Sequence, residues 1–150
     1  MEAPEPQARI YAYTRNDAEV GTSTVVTGQL LIAEIDAFVL FDSGATHSFV
    51  SYEFAKHIDQ GKDSMNQTFR IALPSGDILL SNYWIRHVPI VICGRELSVD
   101  LIIIDMFDYD VILGMDFLRK YNAVIDCRNQ RIAFNPPGCE EFIYTSAMQD

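Results

Sequence analysis

Asp42 is the residue around which chemistry can be built. It follows the apolar run Phe38-Val39-Leu40-Phe41 and is followed by Ser43-Gly44-Ala45-Thr46, so a single carboxylate stands where a strand gives way to a turn of small residues. Ionising a carboxyl at the end of a buried strand is costly unless nearby donors or charges compensate it. A group held in that way is suited to take a proton from water or give one to a substrate oxygen. Strand ends and the loops after them are where such groups are commonly carried.

The Asp-Ser-Gly triplet is also ordinary turn chemistry. Its weight comes from a second apolar element ending on glycine, Ile112-Leu113-Gly114, which lies 72 positions on (114 − 42). Between the two, Phe69, Ile71 and Leu73 alternate with smaller or polar residues. Pro74-Ser75-Gly76-Asp77 then supplies turn chemistry and Ile78-Leu79-Leu80 resumes an apolar strand, which reads as a hairpin tipped by Gly76.

The remaining elements must position these pieces. Residues 1–21 mix proline, charge and isolated apolar residues (Ile10, Tyr11, Tyr13) and read as a linker or N-terminal arm. Thr22 to Ala33 is β-rich, with Gly28 placed for a bulge or bend, and Ala37 to Phe41 is the next strand. Phe49, Val50, Phe54 and Ile58 recur at helical spacing behind Ser48 as cap, and the polar stretch from Lys62 to Thr68 reads as loop. Tyr83–Cys93 and Glu96–Ile104 form strands about Gly94-Arg95, and Val111–Leu113 is a short strand ending on Gly114. Met115–Tyr121 is a short helix carrying Phe117 and Leu118 inward, Ala123–Cys127 and Arg131–Phe134 make a last hairpin, and Pro136-Pro137 ends regular structure. Short strands with two small helices predict a mainly β, barrel-like domain over residues 22–135, followed by a C-terminal tail or linker over 136–150.

Composition narrows the function classes. The 150 residues suit one domain with a real core, and 49% hydrophobic against 21% charged residues is a globular composition. Eleven basic against 21 acidic residues give a net charge of −10, which disfavours nucleic acid as a partner. Cys93, Cys127 and Cys139 have no zinc-site spacing and are expected to be reduced thiols. The N-terminus has no secretory pattern and no apolar run approaches the ~20 residues of a membrane span, so the expectation is an intracellular, soluble chain.

Taken together, Leu40 to Phe49 (Leu-Phe-Asp-Ser-Gly-Ala-Thr-His-Ser-Phe), Ile112 to Leu118 (Ile-Leu-Gly-Met-Asp-Phe-Leu) and Ile125-Asp126-Cys127 resemble the retropepsin-like aspartic proteases of retroviruses and LTR retrotransposons, above all the gypsy-type elements of plants. The likeness spans Thr22 to Phe134. It implies a retropepsin-like closed barrel, one lobe of the acid-protease fold per chain, and an endopeptidase that cleaves a Gag-Pol-like polyprotein without metal or cofactor. By the same resemblance Asp42 is the catalytic aspartate, Ser43 braces the active-site loop, Gly44 admits the substrate backbone, and Ala45 and Thr46 line subsites. Pro74, Ser75, Gly76 and Asp77 form the flap, and Ile112, Leu113 and Gly114 pack behind the loop. Departures from the retroviral pattern are Thr46-His47, where acidic residues stand after the motif, and Met115-Asp116, where Arg-Asn stands.

Peptide hydrolysis of this kind needs two carboxylates, one to activate water and one to protonate the carbonyl oxygen. The chain has one such loop, so the resemblance implies a homodimer with one Asp42 from each copy. The alternative is a catalytically silent dimerisation or peptide-binding module of the same fold. A segment ordered only within a longer polyprotein is a third reading.

Secondary candidates take plainer roles. His47 reads as a core-edge residue, Asp105, Asp108 and Asp110 as a solvated turn rather than a calcium loop, Cys127 as a small buried hydrophobe, and Tyr83 and Trp84 as packing at the base of the hairpin.

Overall fold

The computed structural model describes residues 6–14, 17 and 25–146. In chain order the strands are β1 (Gln7–Arg9), β2 (Val25–Ile32), β3 (Ile35–Asp42), β4 (Phe49–Ser51), β5 (Asp63–Ala72), β6 (Ile78–Ile92), β7 (Arg95–Ile104), β8 (Val111–Leu113), β9 (Ala123–Asp126), β10 (Arg131–Phe134) and β11 (Phe142–Thr145). Helix α1 (Tyr52–Ala55) follows β4 and α2 (Met115–Lys120) follows β8. The protein is mainly β with two short helices between strands, as its strand and turn pattern predicts.

Eight strands pair in the order β1-β5-β6-β2-β3-β8-β4-β7, and a further β6–β7 pairing closes six of them into a ring. The remaining strands, β9, β10 and β11, form a separate antiparallel sheet. Strand β3 runs through the middle of this arrangement, antiparallel to β2 and parallel to β8. Its apolar run is continuous rather than alternating because both faces are covered. Val39 and Phe41 belong to one core cluster with Ile90, Leu101, Leu113 and Phe117, whereas Leu40 belongs to a second with Ala45, Phe49, Ile71, Ile102 and Ile112. Burial on two sides fixes where β3 ends, and it ends on Asp42.

Four segments depart from the sequence reading. Phe49-Val50-Ser51 is a strand, not a helix start, because it is held between β7 in parallel and β8 in antiparallel register. The helix begins at Tyr52, and its cap is Ser51, whose hydroxyl accepts from the Phe54 amide at 3.0 Å. The polar stretch 63–68 belongs to β5, pairing with β6 around an irregularity between Ser64 and Phe69, where Asn66 takes a positive φ of 62°. Strand β6 runs unbroken from Ile78 to Ile92, and the turn to β7 is Cys93-Gly94, both at positive φ (52° and 77°) as a tight two-residue hairpin requires.

Regular structure continues past Pro136-Pro137, because β11 pairs with β10 along Phe142–Thr145. Gly28, expected at a bulge, sits in unbroken register opposite Val39. The reason for glycine is contact: a Cβ there would stand 2.0 Å from the Tyr144 hydroxyl. Residues 18–24, including the first part of the segment expected from Thr22, lie outside the described residues.

Candidate active site

The loop 42–48 is closed from several directions. The Ala45 amide donates to the Asp42 carbonyl at 3.1 Å, making the turn, and the Gly44 amide donates to Asp42 Oδ1 at 2.8 Å. From behind, the Met115 amide at the start of α2 donates to the Ala45 carbonyl at 2.8 Å. Gly114 fits this approach because a Cβ would lie 2.1 Å from the His47 carbonyl oxygen and 2.8 Å from that of Ala45. Ile112 and Leu113 are fully buried beneath the loop, Ile112 in the same cluster as Ala45.

Ser48 and Asp116 complete the support, and sequence reasoning gave neither this role. The buried Ser48 hydroxyl accepts from the Gly114 amide at 3.0 Å and donates to Asp116 Oδ1 at 2.7 Å. Asp116 also takes the Phe117 amide at 2.8 Å. Although the residue is exposed, desolvation of its bonded carboxyl raises it above the ordinary value, opposed by Ser48, Phe117 and nearby His47. The two residues are 68 positions apart, so no local pattern joins them; the one available signal is that each flanks a motif, Ser48 after the Asp-Ser-Gly loop and Asp116 after Ile-Leu-Gly.

Asp42 itself is fully buried. Burial pushes its carboxyl upward, and the amides of Ala12, Gly44, Tyr11 and Ala45 pull in the other direction by bonding the charged form. The net shift is upward, toward the proton-holding state that acid–base work requires. The covering residues come from the N-terminal segment, expected from sequence to be an arm: the Ala12 amide donates to Asp42 Oδ2 at 3.0 Å. Gly44 accommodates this segment, since a Cβ there would meet the Tyr11 Cβ at 2.3 Å.

The hairpin of β5 and β6 reaches the same place by its strand rather than its tip. Pro74, Ser75, Gly76 and Asp77 are all exposed, with Ser75 Oγ bonded to Asp77 Oδ2 and Gly76 at a φ of 95°. The turn is closed by bonds of Leu73 with Asp77 and Gly76. His47 stands where the hairpin meets the loop, its Nδ1 2.8 Å from Thr46 Oγ1 and its ring edge-on to Phe69 at 5.3 Å. Asp110, expected in a solvated turn, instead accepts the Phe38 amide at 2.8 Å and ties its loop to β3. Half-buried Trp84 packs against the cluster beneath the loop and Tyr83 is exposed.

A carboxylate turn over a glycine-tipped element, with a hairpin above it, invites comparison with known proteins. The retroviral aspartyl protease family matches residues 6–138. The chain belongs to that family. No curated protein matches the chain. Among solved structures, the retroviral protease-like domain of Ddi1 from Leishmania major superposes with a TM-score of 0.61 at 16% identity, covering 83% of this chain and 98% of that one. The EIAV protease complexed with the inhibitor HBY-793 superposes with a TM-score of 0.53 at 22% identity, covering 67% of this chain and 90% of its own. At these identities what the family member shares with both is the fold.

Proposed function

We propose that the protein is an aspartic endopeptidase whose site is assembled from two copies, each giving one Asp42. The observation that carries this is the carboxylate of Asp42: fully buried, shifted upward, and set at the end of a core strand in a member of a protease family. One carboxylate cannot serve both proton transfers of peptide hydrolysis. Two brought together across a two-fold axis share a proton, so one takes a proton from water as the other gives one to the scissile carbonyl oxygen. That two close carboxyls hold one proton between them is the general chemistry of aspartic proteases, carried over to this chain. Ser43 and Gly44 shape the turn, Ala45 and Thr46 face the peptide, and the hairpin with Pro74, Ser75, Gly76 and Asp77 closes over it. Ile112, Leu113 and Gly114 hold the loop from behind. The substrate in this reading is a polyprotein of the Gag-Pol type from a gypsy-like retrotransposon, supported by the three sequence segments that resemble that branch.

A second reading has one observation in its favour. Asp42 Oδ2 is occupied by a backbone amide of the same chain, as expected of a peptide-binding module of this fold that no longer cleaves. Asp42→Asn separates the two. In the endopeptidase the variant keeps its fold and loses pepstatin-sensitive peptide cleavage; cleavage that survives the substitution sinks the assignment.

A further inference from the structure

Residues 6–14 do not trail from the domain. They lie in it as a segment with strand β1 near its start, bent at Tyr11 and Thr14, between the hairpin and the loop that bears Asp42. On the hairpin side, β1 pairs in parallel with β5 from Gln7 opposite Arg70 to Arg9 opposite Ala72. The Arg70 amide donates to the Pro6 carbonyl at 3.0 Å and the Ile10 amide donates to the Ala72 carbonyl at 3.0 Å. On the loop side, the Thr46 amide donates to the Arg9 carbonyl at 3.0 Å, while the Arg9 amide donates to Thr46 Oγ1 at 2.9 Å and its Nε to the Gly44 carbonyl at 3.3 Å. The strand then delivers the Ala12 amide to Asp42 Oδ2.

Side chains follow the same logic. Ala8, Ile10 and Ala12 are buried at 6%, 1% and 0% exposure in the cluster beneath the loop, whereas Gln7, Arg9 and Tyr11 point outward. An extended segment read through its backbone on both edges, with alternate side chains in pockets, is how a sheet edge takes up a peptide. The Thr46 hydroxyl and the backbone groups that bond this segment contact its main chain, so what this cleft recognises first is an extended chain.

We infer that residues 6–14 are an intramolecular ligand of the peptide seat, a strap that occupies it in peptide fashion and must leave before another peptide can bind. What Asp42 meets is an amide hydrogen and not a carbonyl carbon, and this chain supplies one such carboxylate, so the strap is held rather than cut. Occupancy rests on the contacts above; its effect on cleavage rests on the endopeptidase reading. A seat that is free only a fraction of the time has its apparent affinity for peptide lowered by that fraction.

Hydrogen exchange on the full chain tests occupancy without reference to catalysis. The amides of Ile10, Ala12 and Thr46 are expected to be protected together, and Ile10→Asp to release all three while the amides of Val39, Leu40 and Ile112 stay protected. Ala12→Pro, which removes a single donor, is the milder variant should Ile10→Asp fail to fold. Peptide cleavage by the strap-released variant should rise by about tenfold for a strap closed some nine-tenths of the time, and a synthetic peptide of residues 6–14 should reverse the gain. Unprotected Ile10 and Ala12 in the wild type overturn the inference, as does a released strap with no gain in cleavage where the wild type cleaves. If neither protein cleaves at any concentration, the endopeptidase reading falls, and the strap is then decided by exchange and by binding of the 6–14 peptide to Ile10→Asp: no binding overturns it.

Discussion

Gly28→Ala offers a test of how the two sheets are locked together. Gly28 lies mid-strand in β2, paired with Val39 of β3, and its backbone suits any residue, so the substitution acts by contact alone. The added Cβ would stand 2.0 Å from Tyr144 Oη, 3.0 Å from Cζ and 3.2 Å from Cε2. Tyr144 belongs to β11, is 8% exposed, and packs its ring against Phe41 with centroids 5.7 Å apart. To admit the methyl, the ring must turn against Phe41 or β11 must lift from β2. Overpacking of this kind costs about 1–3 kcal/mol, less roughly 0.5 kcal/mol returned by restricting the unfolded chain. At about 2–4 °C per kcal/mol for a chain of this size, the melting temperature should fall by about 1–10 °C.

Tyr144→Phe removes the atom at 2.0 Å and leaves the next at 3.0 Å, a contact that a shift of tenths of an ångström relieves. The double variant should therefore recover most of the loss, with a coupling of about 1–2 kcal/mol in a double-mutant cycle. Urea and thermal melts of the four proteins measure this. Additive losses, or a Gly28→Ala protein within about 0.5 kcal/mol of the wild type, would refute the packing of β11 over β2.

Other expectations concern the site. Ser48→Ala strands the buried Gly114 amide and takes a donor from Asp116, so stability should fall by about 1–3 kcal/mol, read by denaturant melts, with Ser48→Thr recovering part of it. For Asp42 the folded carboxyl is shifted up from 3.8, so the folded state binds its proton more tightly than the unfolded one. Its contribution is then complete below the unfolded value and is lost as pH rises through the folded one. Asp42→Asn should thus gain on the wild type as pH rises from about 4 toward neutral, and a stability difference that is flat across that range contradicts the buried, upward-shifted carboxyl. Two copies carry −20 formally (2 × −10), so assembly should tighten with mild acid or added salt, which screens charge beyond about 10 Å at 0.1 M; sedimentation from pH 5 to 8 that shows unchanged association counts against this.

Much of the fold was legible in the sequence for reasons visible in the structure. Phe38–Phe41 reads as a buried strand because β3 is covered on both faces, and Gly76 and Gly94 mark turns because each takes a positive φ. Phe49–Ser51 was not legible, since a three-residue strand carries no period and exists only through its neighbours β7 and β8. The stretch 63–68 hides its pairing because β5 is largely exposed there and is held by backbone bonds to β6, not by an apolar face. Ala8, Ile10 and Ala12 do alternate with outward residues, but two alanines give a weak signal, and what buries them is a loop distant in the chain. Asp42 could be picked out from its neighbours; Ser48 with Asp116, and the amide on Asp42, depend on contacts no local pattern encodes.

The central claim is that Asp42 is half of a site. Its most direct test is the rate of pepstatin-sensitive peptide cleavage per chain as protein concentration is raised. A site built from two copies gives a specific activity that climbs with concentration and levels off as dimers saturate, with none for Asp42→Asn at any concentration. A specific activity independent of concentration down to a solution of single chains would contradict it.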